Sequence, residues 1–210
     1  MKCIRQATAQ DASQISALRL SAYARATEFK VIRPSLIEWN KKDDDRIVLS
    51  AWNDAGMAIS TMRGEIVHDR QEAEDALACT VKLDISLYPS LALTKGATSL
   101  DQSNSGLNSA LRYYFLQAAL DSPVQSVIGL VYINASRTRL MESLGYMFQT
   151  PDDIWDPADI TLKPGLFATL SRDRISNAIA QLRKLSYDCL SDYPWEGSAL
   201  RLAVVHGQPQ

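Results

Sequence analysis

The stretch that decides the fold runs from Leu91 to Tyr146 and reads LALTKGATSLDQSNSGLNSALRYYFLQAALDSPVQSVIGLVYINASRTRLMESLGY. Its first part, 91–100, is a short apolar run that is typical of a β-strand. The small residues of 103–106 follow, and such residues can cap a helix and let a ligand approach the backbone. From Leu107 to Leu120 the apolar residues recur at helical spacing. We therefore predict a helix that begins directly after this loop.

The predicted start of this helix is a candidate anion site. The first N–H groups of a helix have no acceptor within the helix, and the helix dipole adds partial positive charge at that end. A phosphate or pyrophosphate is suited to such a position. An ordinary capped helix explains the same residues, because small polar caps are the usual way in which helices begin.

A second strand and a second helix complete the stretch. Val127 to Ile133 is a run rich in β-branched residues, which predicts a strand, and Asn134 follows it at the start of another helix. That helix is predicted to end at Gly145, the residue type that most often follows a helix C-terminus. The order is strand, small-residue loop, helix, strand, asparagine, helix.

This order resembles the acyl-CoA-binding core of the GNAT superfamily of N-acetyltransferases. In that family a (Gln/Arg)-x-x-Gly-x-(Gly/Ala) motif holds the CoA pyrophosphate with its backbone amides. The chain keeps the first glycine as Gly106, whereas Ser103 and Asn108 stand at the two other marker positions.

A second motif of the family, Asn-x-x-Ala-x-x-x-Tyr-x-x-x-Gly-Phe, fits better. Asn134 and Gly145 are in place, and Tyr146 follows the glycine. Arg137 holds the alanine position and Met141 the tyrosine position. The opening of the chain, from Ile4 through Arg19, is also similar to the usual start of this family, so the resemblance covers roughly residues 1 to 171.

The resemblance implies an α/β fold with a mixed, mostly antiparallel central sheet flanked by helices. Residues 1–171 would form the acyltransferase domain, and 172–210 a C-terminal helix and strand extension packed on it. The implied reaction moves an acyl group, acetyl or longer, from a CoA thioester or an acyl carrier protein to the amine of a small molecule or amino acid. It requires no metal.

The resemblance also assigns residues to the donor. Backbone N–H groups of the loop would hold the pyrophosphate, Arg112 would add positive charge, and the end of the preceding strand would pair with the pantetheine arm. The implied cofactor-binding residues are Ala97, Thr98, Ser99, Ser103, Asn104, Ser105, Gly106, Leu107, Asn108, Arg112 and Asn134.

The proton-transfer groups are less well defined, because Met141 cannot supply the proton that the family's tyrosine gives to the leaving thiolate. Tyr132, Tyr146 or Ser136 would replace it, or no acid is needed, since a thiolate is a tolerable leaving group at neutral pH. Both tyrosines would otherwise serve as packing residues. Glu28, Glu65 and Asp101 are candidates for the base. We take Tyr132, Tyr146 and Glu65 as the candidate catalytic residues.

Composition sets the class of protein. The chain has 210 residues, of which 46% are hydrophobic and 22% charged, and this length favours one domain with a single core. The net charge of -2 and the absence of a basic run argue against a nucleic-acid binder. No apolar run is long enough to span a bilayer, and the first residues lack the apolar segment of a signal peptide, so we expect a cytoplasmic protein.

Three cysteines, Cys3, Cys79 and Cys189, lack metal-binding spacing, and buried free thiols are the expected outcome. Between residues 28 and 45 the chain is irregular and polar, and we expect Asp43, Asp44 and Asp45 to lie in solvent. In the GNAT fold this region forms one wall of the acceptor site.

The remaining segments extend this prediction. Residues 46–52 and 57–63 read as a hairpin around a turn at 53–56. An apolar stripe over 173–190 predicts a tail helix that packs on its own domain, and 199–205 reads as a last strand.

Two hypotheses from different classes follow. The first is an active N-acyltransferase, which acts as a monomer or homodimer. Within it, Leu18-Arg19, Tyr23 and Thr61-Met62-Arg63 are similar to features of the N-acyl amino acid synthases and acyl-homoserine-lactone synthases, relatives that take long acyl chains. The second is a non-catalytic module of the same fold that binds acyl-CoA or a protein partner, which the changed marker residues and Met141 favour.

Overall fold

The computed structural model of the chain describes residues 1–26, 33–132, 136–154 and 165–202. A single mixed sheet organises it. The strands are β1 (Cys3–Gln6), β2 (Ile47–Trp52), β3 (Ala58–Val67), β4 (Ser90–Thr98), β5 (Ser126–Tyr132), β6 (Met147–Gln149) and β7 (Gly165–Ser171). The helices are α1 (Ala12–Ala24), α2 (Pro34–Ile37), α3 (Lys41–Asp44), α4 (Arg70–Leu77), α5 (Leu107–Leu120), α6 (Ser136–Ser143), α7 (Arg172–Leu185) and α8 (Tyr187–Asp192).

The sheet has the strand order β1-β2-β3-β4-β5-β7-β6. All neighbours are antiparallel except β4 and β5, which are parallel and are joined by the crossover helix α5. This confirms the predicted α/β fold with a mostly antiparallel sheet. The helix predicted from Leu107 to Leu120 has these bounds in the structure, and the predicted hairpin of β2 and β3 is also confirmed.

The pairing of β4 with β5 is short. It joins Ser90, Leu91 and Ala92 to residues 126–128 and then stops, although β4 continues to Thr98 and β5 to Tyr132. The two strands therefore separate toward their C-terminal ends. This separation opens the centre of the sheet on the side where α5 begins.

Helix α5 lies against the sheet and fills the core. Leu111, Phe115 and Ala119 are fully buried in the main hydrophobic cluster. Phe115 packs directly on β3 at Gly64, where a Cβ would overlap its ring. The close approach of helix and strand at this point thus depends on the missing side chain of Gly64.

The region before β2 differs from expectation. In its described part it contains the short helices α2 and α3, and Asp43 is only 1% exposed. Asp44 and Asp45 lie at the surface as expected. The prediction of a solvated Asp43 was wrong, because basic side chains that are distant in sequence surround it.

The charged segment before β4 forms helix α4. Helix α4 begins at an N-cap, Asp69, whose carboxylate accepts a hydrogen bond from the N–H of Glu72 at 2.9 Å. Its apolar residues Ala73 and Leu77 pack in a second cluster on the opposite face of the sheet.

The C-terminal stripe forms two helices rather than one. α7 ends at Leu185 and α8 begins at Tyr187, because Ser186 donates its hydroxyl hydrogen bond to the carbonyl oxygen of Leu182 at 2.6 Å. Both helices contribute buried residues to the main core. Trp195 then forms a parallel bridge with Ile4, whereas residues 199–202 form no strand; 203–205 lie outside the described residues.

The three cysteines are buried free thiols, as predicted. Burial raises their pKa values, to about 11 for Cys3, about 12 for Cys79 and about 11 for Cys189. They are therefore protonated at neutral pH. In the part of the chain that the structure describes, no helix combines the length and apolar character needed to cross a membrane.

Candidate active site

A groove of about 550 Å³ lies where β4 and β5 separate. Its lining comes from α1, β3, β4, the loop before α5, α5 itself, β5 and α6. One end is formed by the start of α5, and the other by the end of α1 together with Met62 of β3. A ligand in the groove would thus contact both strands and a helix N-terminus.

The structure brings together most of the predicted donor residues. The members that line the groove are Ala97, Thr98, Ser103, Asn104, Ser105, Gly106, Leu107, Asn108 and Arg112. Ser99 does not line it, and its N–H instead donates to the carbonyl oxygen of Ile59 at 2.9 Å. Asn134 lies outside the described residues. Nine of the predicted residues, from β4, the loop and α5, thus lie on one surface.

The start of α5 is built to leave its N–H groups available. Gly106 is the N-cap residue, and its φ of +87° is one that residues with a side chain rarely adopt. It has no side chain to accept hydrogen bonds from the first turn, and the N–H of Leu107 donates a long hydrogen bond of 3.4 Å to Ser105 Oγ. The first turn can therefore donate to an anion, which fits the predicted pyrophosphate.

Arg112 and Tyr146 form a buried pair behind this loop. Arg112 is 4% exposed, and its Nη1 donates to Tyr146 Oη at 3.1 Å, with the guanidinium 5.7 Å from the ring centroid. Arg112 lines the groove, whereas Tyr146 does not. The structure thus places Tyr146 as a partner of Arg112, and its role as an acid stays a prediction.

The other two candidate catalytic residues occupy different places. Tyr132, at the end of β5, lines the groove. Glu65 does not: it is 6% exposed, and its carboxylate accepts from Arg46 Nε at 2.7 Å and from Arg63 Nη2 at 3.3 Å. Two ion pairs hold Glu65 away from the groove, and this position argues against its use as a base.

The other candidates for the base do not line the groove or lie outside the described residues. Asp101 is exposed and does not line the groove, and Glu28 lies outside the described residues. Met141 is 1% exposed in the main core, so the family's tyrosine position is filled by a packing residue. Tyr23, which we did not predict as a site residue, lines the groove on α1, and burial raises the pKa of its hydroxyl.

A buried charge cluster borders the groove at Lys95. Asp43 Oδ1 accepts from Arg19 Nη2 at 2.9 Å, and its Oδ2 accepts from Lys95 Nζ at 3.0 Å. Arg63 Nη1 lies 4.0 Å from the same carboxylate. Both Arg19 and Asp43 have side chains that are 0% exposed. One buried carboxylate therefore balances cations from α1, β3 and β4.

This cluster shifts the pKa values of its members. Burial alone would raise the pKa of Asp43, but the hydrogen bonds and charges of Arg19 and Lys95 outweigh it, so that pKa lies below its ordinary value. Burial lowers the pKa of Lys95 to about 8, although Asp43 opposes the shift. Lys95 lines the groove, so a cation whose pKa is near neutral pH faces the space that a ligand would occupy.

Lys95 also lies at a β-bulge. Arg63 pairs with Thr94 and Thr61 with Ala97, so that Met62 alone opposes both Lys95 and Gly96. Lys95 has a φ of +50°, which is uncommon for a residue with a side chain. No local sequence pattern marked this bulge, because it is set by the register of two strands.

A mostly antiparallel sheet with one parallel pair that opens over a helix N-terminus is the GNAT fold, as the sequence predicted. Known structures with this arrangement include a GNAT acetyltransferase from Streptococcus pneumoniae, which is 14% identical. The match covers 81% of this chain and 99% of that one, with a TM-score of 0.57.

Two other structures have the same fold. A ribosomal-protein-alanine N-acetyltransferase from Brucella melitensis is 15% identical over 80% of this chain and 98% of its own, with a TM-score of 0.54. BjaI, a CoA-dependent acyl-homoserine lactone synthase solved with SAM and isopentyl-CoA, is 13% identical over 96% of each chain, with a TM-score of 0.56. The sequence matches no protein-family model and no curated protein. At this identity the structural matches establish the fold.

Proposed function

We propose that this protein is an N-acyltransferase that moves an acyl group from a CoA thioester to the amine of a small acceptor. The observation that carries the proposal is the groove between β4 and β5, which opens directly onto the uncapped start of α5. In chemical terms, the amine nitrogen would form a bond to the thioester carbon, the carbon–sulfur bond would break, and the sulfur would leave as a thiolate while the amine's proton passes to water.

The donor end is supported by three features. The first turn of α5 offers N–H groups without internal acceptors, Arg112 adds buried positive charge, and β4 presents a free edge. Beyond Ala92, no strand of the described chain pairs with the edge of β4 that faces β5. That edge can hydrogen-bond to an extended arm with alternating amide groups, while the helix start holds the phosphates.

The acceptor end favours an anionic amine such as an amino acid. Lys95, Arg112 and Arg137 line the groove, and its described lining contains no Asp or Glu. Lys95 belongs to the end near α1, where an acceptor would approach a thioester bound along β4. A carboxylate on the acceptor would receive a charge-assisted hydrogen bond from this ammonium group. The BjaI structure, solved with SAM and isopentyl-CoA, is a neighbour of the same fold whose ligands are an amino acid derivative and an acyl-CoA.

Catalysis would rest mainly on positioning. The described lining of the groove contains no carboxylate or imidazole, and its hydroxyl groups include those of Tyr23 and Tyr132. An amine that loses its proton to water, and a leaving thiolate that needs no acid, are compatible with such a site. Holding both reactants in contact is in itself a large source of rate enhancement.

A non-catalytic acyl-CoA-binding module is the second candidate. The observation that favours it is the same lack of a carboxylate or imidazole in the described lining, together with the burial of Met141 at the family's tyrosine position. A protein that only binds CoA needs the helix start and the edge of β4. It does not need a proton acceptor.

Two measurements separate these candidates. The first is the melting temperature with CoA, acetyl-CoA and decanoyl-CoA, since a ligand that binds only the folded state raises it. We expect a shift with all three, and a larger shift with decanoyl-CoA would favour a long-chain donor. The second measures thiol release from the preferred acyl-CoA with a panel of amino acids and neutral amines.

Turnover with an amine supports the acyltransferase. A shift with CoA but no thiol release above the rate without an acceptor supports the binding module. No shift with any CoA compound would contradict both candidates and direct attention to an acyl carrier protein as donor.

A further inference from the structure

Gly96 lies directly beneath two hydrogen-bond donors, and they leave little room for a side chain there. A Cβ built on Gly96 would lie 3.2 Å from Asn108 Nδ2 and 3.2 Å from Arg137 Nη1. Gly96 belongs to β4, whereas Asn108 is on α5 and Arg137 on α6. All three residues line the groove. Two donors from different helices thus converge on the free edge of β4.

The amide of Asn108 has an unused donor. Its Nδ2 atom is buried, and it has no acceptor among the described residues. Buried polar groups nearly always have a hydrogen-bond partner, and an unpaired one at a groove is a sign that a ligand supplies it. The position is also informative in sequence, because Asn108 stands where the resembled family has glycine or alanine.

We propose that Asn108 binds the acyl donor through Nδ2, by donating a hydrogen bond to a carbonyl oxygen of the acyl-pantetheine arm in front of Gly96. Gly96 is required because a side chain there would displace the Asn108 amide, whose Nδ2 lies 3.2 Å from the Cβ position. The inference rests on the proposed function, since it assumes that a CoA thioester occupies the groove.

The geometry favours a carbonyl over a phosphate. Asn108 Nδ2 is directed toward β4, on which an extended arm would lie, whereas the N–H groups that suit a phosphate belong to the loop and first turn around Gly106. An oxygen in front of Gly96 would be adjacent to the bulge at Lys95, close to the acceptor end. Asn108 would then help to orient the arm, and with it the thioester.

The test compares two ligands on the purified full-length protein. CoA contains the pantetheine arm and the phosphates, whereas adenosine 3′,5′-bisphosphate contains phosphates without the arm. For Asn108→Ala we expect the Kd for CoA to rise about tenfold and the Kd for the bisphosphate to stay within about twofold of the unchanged protein. Asn177→Ala removes an exposed amide from α7, outside the groove, and serves as the matched control, with no change in either Kd.

Gly96→Ala provides an independent variant. We expect it to weaken CoA binding at least tenfold, because the added methyl group would push aside the Asn108 amide, which lies 3.2 Å from the Cβ position. If Asn108 instead has only a structural role, Asn108→Ala should lower the melting temperature and raise the Kd values of both ligands equally.

The outcomes are distinct. An unchanged Kd for CoA in Asn108→Ala, or an equal loss for CoA and the bisphosphate, overturns the assignment of Asn108 while the proposed function stands. If the unchanged protein binds neither CoA nor acetyl-CoA, the proposed function itself fails, and the assignment fails with it.

Discussion

Asp43 is the residue on which the buried charges of this protein depend. Its carboxylate is within 4.0 Å of nitrogens of Arg19, Lys95 and Arg63, and its side chain is 0% exposed. Burying a charge costs free energy unless an opposite charge pairs with it. Such a cluster is therefore stable only while every buried charge has a partner. Removing this carboxylate would leave Arg19, whose side chain is 0% exposed, without its ion-pair partner and would take from Lys95 the anion that it contacts.

We expect Asp43→Asn to lower the free energy of unfolding by about 3 kcal/mol at pH 7, because it leaves buried cations without their counter-charge. Urea denaturation measures the change. Asp45→Asn is the matched control: Asp45 is two residues away and exposed, and its loss should change the stability by less than about 0.5 kcal/mol.

The effect of Asp43→Asn should also depend on pH. The pKa of Asp43 is lowered in the folded protein, so its stabilising contribution is complete above its ordinary value of 3.8 and is lost as the pH falls through the folded pKa. The difference between the two proteins should therefore be constant from pH 7 to 5 and shrink below pH 4. Equal stability of both proteins at pH 7 would show that Arg19 and Lys95 do not need this anion.

At the scale of elements, α5 joins the core to the groove. Its first turn lines the groove, its middle packs on β3 at Gly64, and its far end is held by Arg172 of α7. Arg172 donates to the carbonyl oxygens of Leu120 at 2.9 Å and Ser122 at 2.7 Å. The C-terminal helices thus help to fix the helix whose start is the candidate donor site.

Leu182 and Leu185 of α7 test this packing. Leu182 is 0% exposed and Leu185 is 57% exposed, although both belong to the predicted apolar stripe. We expect Leu182→Ala to lower the free energy of unfolding by about 3 kcal/mol because it leaves a cavity in the core. Leu185→Ala, the control, should cost less than about 0.5 kcal/mol. Urea denaturation curves that shift equally for both would contradict the docking of α7 on α5.

At the scale of the whole molecule, the groove combines elements from most of the described chain. Its two ends differ in chemistry: the start of α5 offers backbone N–H groups, and the end near α1 offers the ammonium group of Lys95. A donor with phosphates and an acceptor with a carboxylate would therefore have separate places. Lys95 is the residue through which pH should affect the acceptor.

We expect Lys95→Met to lower kcat/KM about tenfold at pH 7 for an amino acid acceptor and to leave the value for the matching amino acid amide nearly unchanged. The pKa of Lys95 is about 8, so its charge is lost as the pH rises through this value. The ratio of kcat/KM between unchanged protein and variant should fall toward one by pH 9. Titration of the acceptor's own amine cancels in this ratio.

Melting temperatures of both proteins are the control for folding. A ratio for the amino acid that stays at tenfold up to pH 9 would mean that Lys95 acts through Asp43 rather than through its own charge. Equal losses for the amino acid and its amide would contradict recognition of a carboxylate.

The sequence alone determined the elements around the groove, because their patterns are local. Helical spacing from Leu107 to Leu120, the β-branched run before Tyr132 and the small residues that end at Gly106 each specify a piece of backbone, and their order resembles one fold. The confirmed mixed sheet follows from that order. The roles of Tyr132, Tyr146 and Glu65 stay predictions, since a role depends on what each side chain faces.

Only the tertiary structure decided which side chains meet. Asp43 follows an irregular polar segment that is typical of solvent, yet Arg19 and Lys95, 24 and 52 residues away, bury it. In the sequence, Asn108 is only a residue of the first turn of a helix. In the folded chain, Gly96 of β4 and Arg137 of α6 lie beside it. Local pattern fixes the backbone of each element, whereas burial, charge pairing and the shape of the groove arise from contacts between elements that are distant in sequence.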